Sequence, residues 1–322
     1  LNILPISFDY GLYQVFMSVY TQSTLILEEN FSFPGKLIDC INKYNVTVFP
    51  GVPTVYKTLI SMNDKKNFQL NSITKITNTA AALAPEMIPG LKKIFPNSLI
   101  FKMYGLTECK RVCFLKPELL EEFPDSVGKA IPGTETFLLD ADGNFVGPNH
   151  LGILHVRGPH IMKGYLNRPE ENAKMLKPGL IAGELILNTN DWFMQDENGL
   201  LYFKGRRDDI IKSRGEKVSP IEVENIINGF SHVKDSAVIG IKDEILGEAI
   251  CAFIECKERD NPVTIKEIKK WCSLNLENYM VPKHIFMIEE LPKSTNGKVV
   301  KKGLDQKAMN LLLGGNSEHR TV

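Results

Sequence analysis

The chain has 322 residues, more than one domain of ordinary size, so its length points to two domains. Apolar residues make up 43% and charged residues 24%, the mix of a globular protein rather than a disordered or fibrous one. Lys+Arg and Asp+Glu both number 38, and this neutral balance argues against a nucleic-acid partner held by counterion release.

Residues 10–27 carry no formal charge, but Gln14, Ser18, Thr21, Gln22, Ser23 and Thr24 interrupt them. A spanning helix needs about 20 mostly apolar residues, so no membrane span is expected. Leu12, Val15, Phe16, Val19 and Tyr20 instead follow helical spacing. A strand at 24–27 and a helix through Leu37, Ile38 and Ile41 follow. The alternation continues with strand 46–49, a helix opened by Gly51-Val52-Pro53, strand 73–77, helix 85–94 and strand 99–103. Such alternation predicts a parallel sheet with helices on its faces.

From about Ser126 the chain becomes richer in Gly and Pro, and short runs at 134–139, 152–157 and 200–204 read as strands of a β-rich subdomain. Beyond Gly205, capping boxes at Ser219–Glu222 and Thr264–Glu267 open two helices. Strands at 236–241, 249–255 and 285–289 and a last helix complete an α+β module. The six cysteines form no CxxC pair, which predicts free thiols in a reducing, cytoplasmic setting. His150, His155 and His160 are spaced so that successive ones fall on opposite faces of a strand; ordinary surface histidines are expected, not a metal cluster.

Five segments carry chemistry. Tyr104-Gly105-Leu106-Thr107-Glu108 follows a strand end, where open α/β sheets bind ligands. Tyr offers a flat face for a base, Thr a hydroxyl for phosphate and Glu a hard oxygen for Mg²⁺; alone, the pentapeptide is equally a turn with a core Tyr. Asn188-Thr189-Asn190-Asp191 places a carboxylate on a turn, suited to two ribose hydroxyls or simply to an Asx-turn. The charge-dense run 205–217 lies between two glycines at the compositional boundary, either a hinge or a solvated linker. Lys293-Ser294-Thr295-Asn296-Gly297-Lys298 is a polar loop that can deliver a point charge to a carboxylate or phosphate. Ser7-Phe8-Asp9-Tyr10-Gly11 follows an apolar run and would line a pocket at another strand end.

In this order YGLTE, NTND, GRRDDIIKSRGEK and PKSTNGK resemble the adenylate-forming superfamily of acyl-CoA synthetases, peptide-synthetase adenylation domains and luciferases. SVGKAIPGTE and GILHVRGPHIMKGYLNRPE resemble that family's intervening segments, so the likeness runs over nearly the whole chain. It implies an α/β fold: part of a large N-terminal domain over 1–205, with its sheet in 1–125 and a β-rich subdomain in 126–205. A hinge at 206–209 and a mobile α+β C-terminal domain over 210–322 would follow.

The family activates a carboxylic acid with ATP and passes the acyl group from AMP to a thiol. The resemblance implies ATP, Mg²⁺ and CoA. Tyr104 would stack on adenine, with Ala80, Ala81 and Ala82 at the ring edge. Thr107 would contact phosphate, Glu108 bind Mg²⁺, and Asp191 and Arg206 hold the ribose. Asp208 matches the hinge, and Lys298 the lysine that bridges carboxylate and α-phosphate. Lys212, Gly215 and Lys217 would serve the CoA half-reaction, and Phe8 and Asp9 would line the acyl pocket. Asp9 leaves amino-acid activation open, because an Asp here holds the α-ammonium in amino-acid-activating domains. GRRDDIIKSRGEKVSPIEVE and YGLTECKRV look closer to medium- or long-chain acyl-CoA ligases, so a fatty acid is the expected substrate. Loading of a carrier protein, or a non-catalytic remnant that binds nucleotide or acyl ligand, are the alternatives. The family's Gly-rich, Ser/Thr-rich phosphate loop is not found, and the chain begins without Met or signal peptide; both suggest N-terminal truncation and impaired adenylation by this chain alone. Asn190 stands where the family usually has Gly, and Asn tolerates the positive φ such a turn needs.

Overall fold

In the computed structural model, which describes residues 1–28, 34–78, 81, 83–179, 181–257, 263–293 and 299–313, the chain divides into two units, Leu1–Phe203 and Lys204–Val322. The first opens with α1 (Asp9–Tyr20) and α2 (Pro34–Tyr44), then alternates β1 (Val48–Gly51), α3 (Pro53–Lys66), β2 (Lys75–Asn78), α4 (Met87–Ile94) and β3 (Leu99–Tyr104). β1, β2 and β3 pair in parallel, with Phe49 opposite Ile76 and Ile76 opposite Ile100. Helices cover this sheet because Leu37, Ile41, Tyr56, Leu59 and Leu91 recur at helical spacing and bury against Phe49, Ile76 and Ile100. Pro53 starts α3 in the expected way, at a position where the missing N–H costs no hydrogen bond.

β4 (Cys113–Leu115) and β5 (Lys129–Ala130) extend the same sheet in antiparallel sense. A second sheet is built from β6 (Glu135–Leu139), β7 (Leu151–Arg157), β8 (Leu176–Pro178), β9 (Leu185–Gln195) and β10 (Leu201–Arg206), with α5 (Pro169–Met175) preceding β8. Leu154, Val156, Leu187, Phe193 and Leu201 form its core.

The second unit comprises the hairpin β11 (Ile211–Ser213) and β12 (Glu216–Val218), α6 (Pro220–Asn228), β13 (Val233–Asp243), β14 (Gly247–Cys256), α7 (Ile265–Asn275), β15 (His284–Ile288) and α8 (Leu304–Leu313). Successive residues of β14 enter opposite faces: Ile250, Ala252 and Ile254 join a cluster with Val223, Ile268 and Cys272, whereas Cys251 and Phe253 pack with Leu304 and Ala308. The architecture is thus α/β, with a β-rich subdomain and a small α+β unit. Among the described residues no helix is long and apolar enough to cross a membrane.

Three local expectations need correction. Among the described residues, 24–27 make a single bridge, Leu27 to Asn2, and not a strand. Ser219 caps α6 by accepting the Glu222 N–H at 3.3 Å, but the Glu222 carboxylate lies 3.6 Å from Lys204 Nζ, so the box is half closed. Thr264 and Glu267 do form the full box. His155 is buried rather than at the surface: β7 lies between β6 and β9, and the imidazole stacks on Phe137. All six cysteines are free.

Candidate functional site

At the carboxyl end of β3 the Tyr104 hydroxyl donates to Asp191 Oδ2 at 2.6 Å, joining residues 87 positions apart. The ring meets Phe193 edge-on, centroids 4.7 Å apart, and stacks at 6.0 Å on Phe203. Burial first, then the Asp191 carboxylate, push the phenol far above its ordinary range, so it stays a donor at neutral pH.

Asp191 reaches this place through an interruption of the β7–β9 ladder. Ile153 faces Trp192 and His155 faces Asn188, so Leu154 stands opposite the stretch 189–191. Such a bulge re-aims a side chain. Asn190 takes the left-handed conformation at φ +57°, as expected of the residue that replaces Gly. The loop is closed by its own side chains: Asn188 Oδ1 accepts the Asn190 N–H at 2.9 Å, and Thr189 Oγ1 accepts the Asp191 N–H at 3.2 Å while donating to Leu154 O at 2.9 Å. Asp191 is only 8% exposed.

Thr107 is exposed and Glu108 half-buried on the turn after Tyr104. The Glu108 carbonyl accepts the Met162 N–H at 2.8 Å, and its carboxylate accepts the Tyr165 hydroxyl. Phe8 is the N-cap residue of α1 and Asp9 its first residue. Asp9 Oδ2 lies 4.0 Å from Lys110 Nζ, which also sits 3.5 Å over the Tyr13 ring. Burial lowers the Lys110 ammonium to about 8 against the pull of Asp9.

Ala81 is exposed and its carbonyl accepts from Asn78 Nδ2 at 3.0 Å; Ala80, Ala82 and Lys298 lie outside the described residues. In the second unit Arg206 ends β10, and its carbonyl accepts the Asp209 N–H at 3.0 Å, forming a turn through Asp208. Lys212 and Lys217 stand directly opposite each other on the β11–β12 hairpin. Gly215 lies at its tip with φ +85°, preceded by Arg214 at φ +56°. The structure therefore joins Tyr104 with Asp191 and sets Thr107 and Glu108 on the adjoining turn.

Residues 1–166 match the model of the AMP-binding enzyme family, and 222–298 that of the AMP-binding enzyme C-terminal domain. The chain belongs to the AMP-binding enzyme family. A long-chain-fatty-acid–CoA ligase of Bacillus subtilis (strain 168) is 31% identical over 306 residues, covering 94% of this chain and 53% of the relative. A 4-coumarate–CoA ligase of Vanilla planifolia is 30% identical over 310 residues, covering 94% and 55%. Among solved structures, an o-succinylbenzoate CoA synthetase of Bacillus subtilis in complex with its acyl-adenylate intermediate superposes with TM-score 0.82 at 28% identity, covering 94% of this chain and 59% of that one. This AMP-binding chain spans about half the length of the curated relatives it matches.

Two residues of the site escaped the sequence reading. Lys110 follows YGLTEC directly, and Tyr165 lies in the GYLNRPE segment; proximity to a motif was the available signal in each case.

Proposed function

We propose that the protein carrying this chain is an AMP-forming acyl-CoA ligase, with a fatty acid as substrate. The acid's carboxylate oxygen attacks the α-phosphorus of ATP and pyrophosphate leaves. The sulfur of CoA then attacks the acyl carbonyl, AMP leaves, and the thiol proton passes to solvent. The observation that carries this reading is the Tyr104–Asp191 hydrogen bond at a strand end, which joins a flat ring to a carboxylate suited to ribose hydroxyls.

Glu108 fits a Mg²⁺ ion: it is a hard oxygen donor, and a lone protein carboxylate is enough when substrate phosphates complete the shell. Mg²⁺ held there would offset charge on the triphosphate. Thr107 donates to phosphate, and Asp191 and Arg206 orient the ribose. Lys298 supplies a positive charge to the acid's carboxylate and the α-phosphate during adenylation.

The Asp9–Lys110 contact favours an acid without an α-amino group. An incoming α-ammonium would meet a lysine ammonium 4.0 Å from the carboxylate it needs. This supports the fatty-acid reading over amino-acid loading.

The CoA step draws support from a cavity of about 450 Å³ within the second unit. Arg214, Lys269, Lys283 and the Tyr279 ring line it, and Ser213 and Arg214 join it to the hairpin that carries Gly215. Three cations beside an aromatic ring suit a phosphorylated nucleoside. Lys269→Glu is expected to raise the KM for CoA about tenfold, because a reversed charge opposes phosphate at close range. An unchanged KM for CoA counts against the cavity as the CoA site.

Incubating the protein, as its gene encodes it, with ATP, Mg²⁺ and pooled acids, then trapping with hydroxylamine, tests the whole reading. A fatty hydroxamate is expected. An amino-acid hydroxamate overturns the substrate assignment, and no hydroxamate from any acid overturns the activity.

A further inference from the structure

The segment just before α5 is pinned to Glu108 at two points. Met162 N–H donates to the Glu108 carbonyl at 2.8 Å, and the Tyr165 hydroxyl donates to Glu108 Oε1. Tyr165 is itself held by its backbone. Its N–H donates to Asn172 Oδ1 at 2.6 Å, and its carbonyl accepts from Asn172 Nδ2 at 2.9 Å. Asn172 belongs to α5, whose first turn is closed by the Asn172 N–H to Arg168 carbonyl bond at 3.0 Å. Gly164 allows this clamp to close: at φ +136° its missing Cβ would lie 3.0 Å from the Asn172 amide. Asn172, Tyr165 and Glu108 thus form a chain of hydrogen bonds running from a helix to the exposed turn.

The geometry points to Tyr165 as the positioning residue for the Glu108 carboxylate, fixing Oε1 and with it the orientation of the group that would hold the Mg²⁺ of ATP. This rests on the reading of Glu108 as the Mg²⁺ ligand. A phenol suits the task because it is a neutral donor. A lysine or arginine in its place would fix the same oxygen but cancel the charge that attracts the metal. Mg²⁺ demands near-ideal octahedral geometry, so a carboxylate whose rotation is restrained loses less on binding than a free one.

The test uses Mn²⁺ as the probe, in the protein as its gene encodes it. Free Mn²⁺ is counted by electron paramagnetic resonance in the presence of ATP, beside the Mg²⁺ dependence of hydroxamate formation. Tyr165→Phe is expected to weaken Mn²⁺·ATP binding by about 10–100-fold, the usual range for losing an outer-shell partner of a metal ligand. The Mg²⁺ concentration for half-maximal rate should rise in step, with the KM for the acid unmoved. Asn172→Ala keeps the phenol but loosens it, and is expected to shift Mn²⁺ binding in the same direction by a smaller factor; it decides the matter if Tyr165→Phe does not fold. Wild-type Mn²⁺ binding by the folded variants overturns the inference. Wild-type binding by Glu108→Gln overturns the metal assignment itself, which separates the two failures.

Discussion

Gly105→Ala is expected to lower hydroxamate formation at least about 100-fold, the scale of loss when a reacting group is misplaced by an ångström. A Cβ at this position would stand 2.2 Å from the Lys110 carbonyl oxygen and 3.0 Å from Arg111 Cα. Both are backbone atoms, so no side chain can swing aside. The loop they belong to is closed on every side. The Cys109 N–H donates to Leu106 O at 3.1 Å, the Arg111 N–H to Cys109 O at 2.7 Å, and the Val112 N–H to Tyr104 O at 3.0 Å. Lys110 already occupies the left-handed region at φ +62°. The added methyl must therefore open the turn, while Tyr104 stays anchored by Asp191 and by pairing with Cys113. Thr107 and Glu108, carried on the opened part, move away from the tyrosine. Gly35→Ala is the matched control: among the described residues nothing lies within 4 Å of its missing Cβ, and in a helix the change stabilises by up to about 1 kcal/mol. Thermal unfolding and hydroxamate trapping on both variants check this. Wild-type rates from Gly105→Ala would show that the loop can yield.

What could be read ahead of the structure was what depends on local pattern. The alternation that predicted a parallel sheet is present as β1, β2 and β3, and the left-handed Asn190 followed from the short list of residues that tolerate positive φ. What escaped depends on partners distant in the chain. No local rule pairs Tyr104 with Asp191, because the bulge that aims Asp191 is a mismatch between two strands and not a property of either. The 24–27 segment has the composition of a strand, but among the described residues its β-pairing is the one bridge of Leu27 with Asn2, and a strand exists only where a neighbour offers a ladder. Glu222 has the spacing for a capping box, yet Lys204 competes for its carboxylate. His155 was expected at the surface with His150 and His160, but β7 is central in its sheet and Phe137 on the neighbouring strand supplies an aromatic face for the imidazole. Tyr165 and Lys110 belong to the same class, since each contacts a carboxylate that lies elsewhere in the sequence.

Lys298→Ala is expected to reduce adenylation by about 10²–10³-fold, the cost of removing one preorganised charge from a developing anion. The loss should not be rescued by the lysines on either side. Lys293 Nζ lies 3.6 Å from Glu255 Oε2 and 3.8 Å from Asp235 Oδ2, and Lys301 Nζ lies 2.7 Å from Glu224 Oε1. Lys234 also pairs with Glu255, so three ammonium groups face three carboxylates. Glu255 is only 1% exposed and accepts the Leu291 N–H at 3.1 Å; Glu224 accepts the Val238 N–H at 2.7 Å. Burial pushes both carboxyls upward. At Glu255 the Lys234 hydrogen bond, the Leu291 N–H and the Lys293 charge outweigh it and hold the group below its ordinary value, whereas at Glu224 burial prevails over Lys301. Withdrawing Lys301 to serve the phosphate would take the ammonium from the buried Glu224, and withdrawing Lys293 would strip the buried Glu255 of one of its two ammonium groups; breaking an ion pair at a buried carboxylate is the costly outcome. Thioester formation from supplied acyl-adenylate breaks the acyl C–O bond and leaves every bond to phosphorus intact, so it does not need the carboxylate and the triphosphate brought together, and it is expected to stay within about threefold of wild type. Pyrophosphate exchange measures the first half-reaction, and CoA ester formation from synthetic acyl-adenylate the second. Equal loss of both would assign Lys298 to the fold or to the thiol step, and would leave the charge that adenylation needs to be found among other residues.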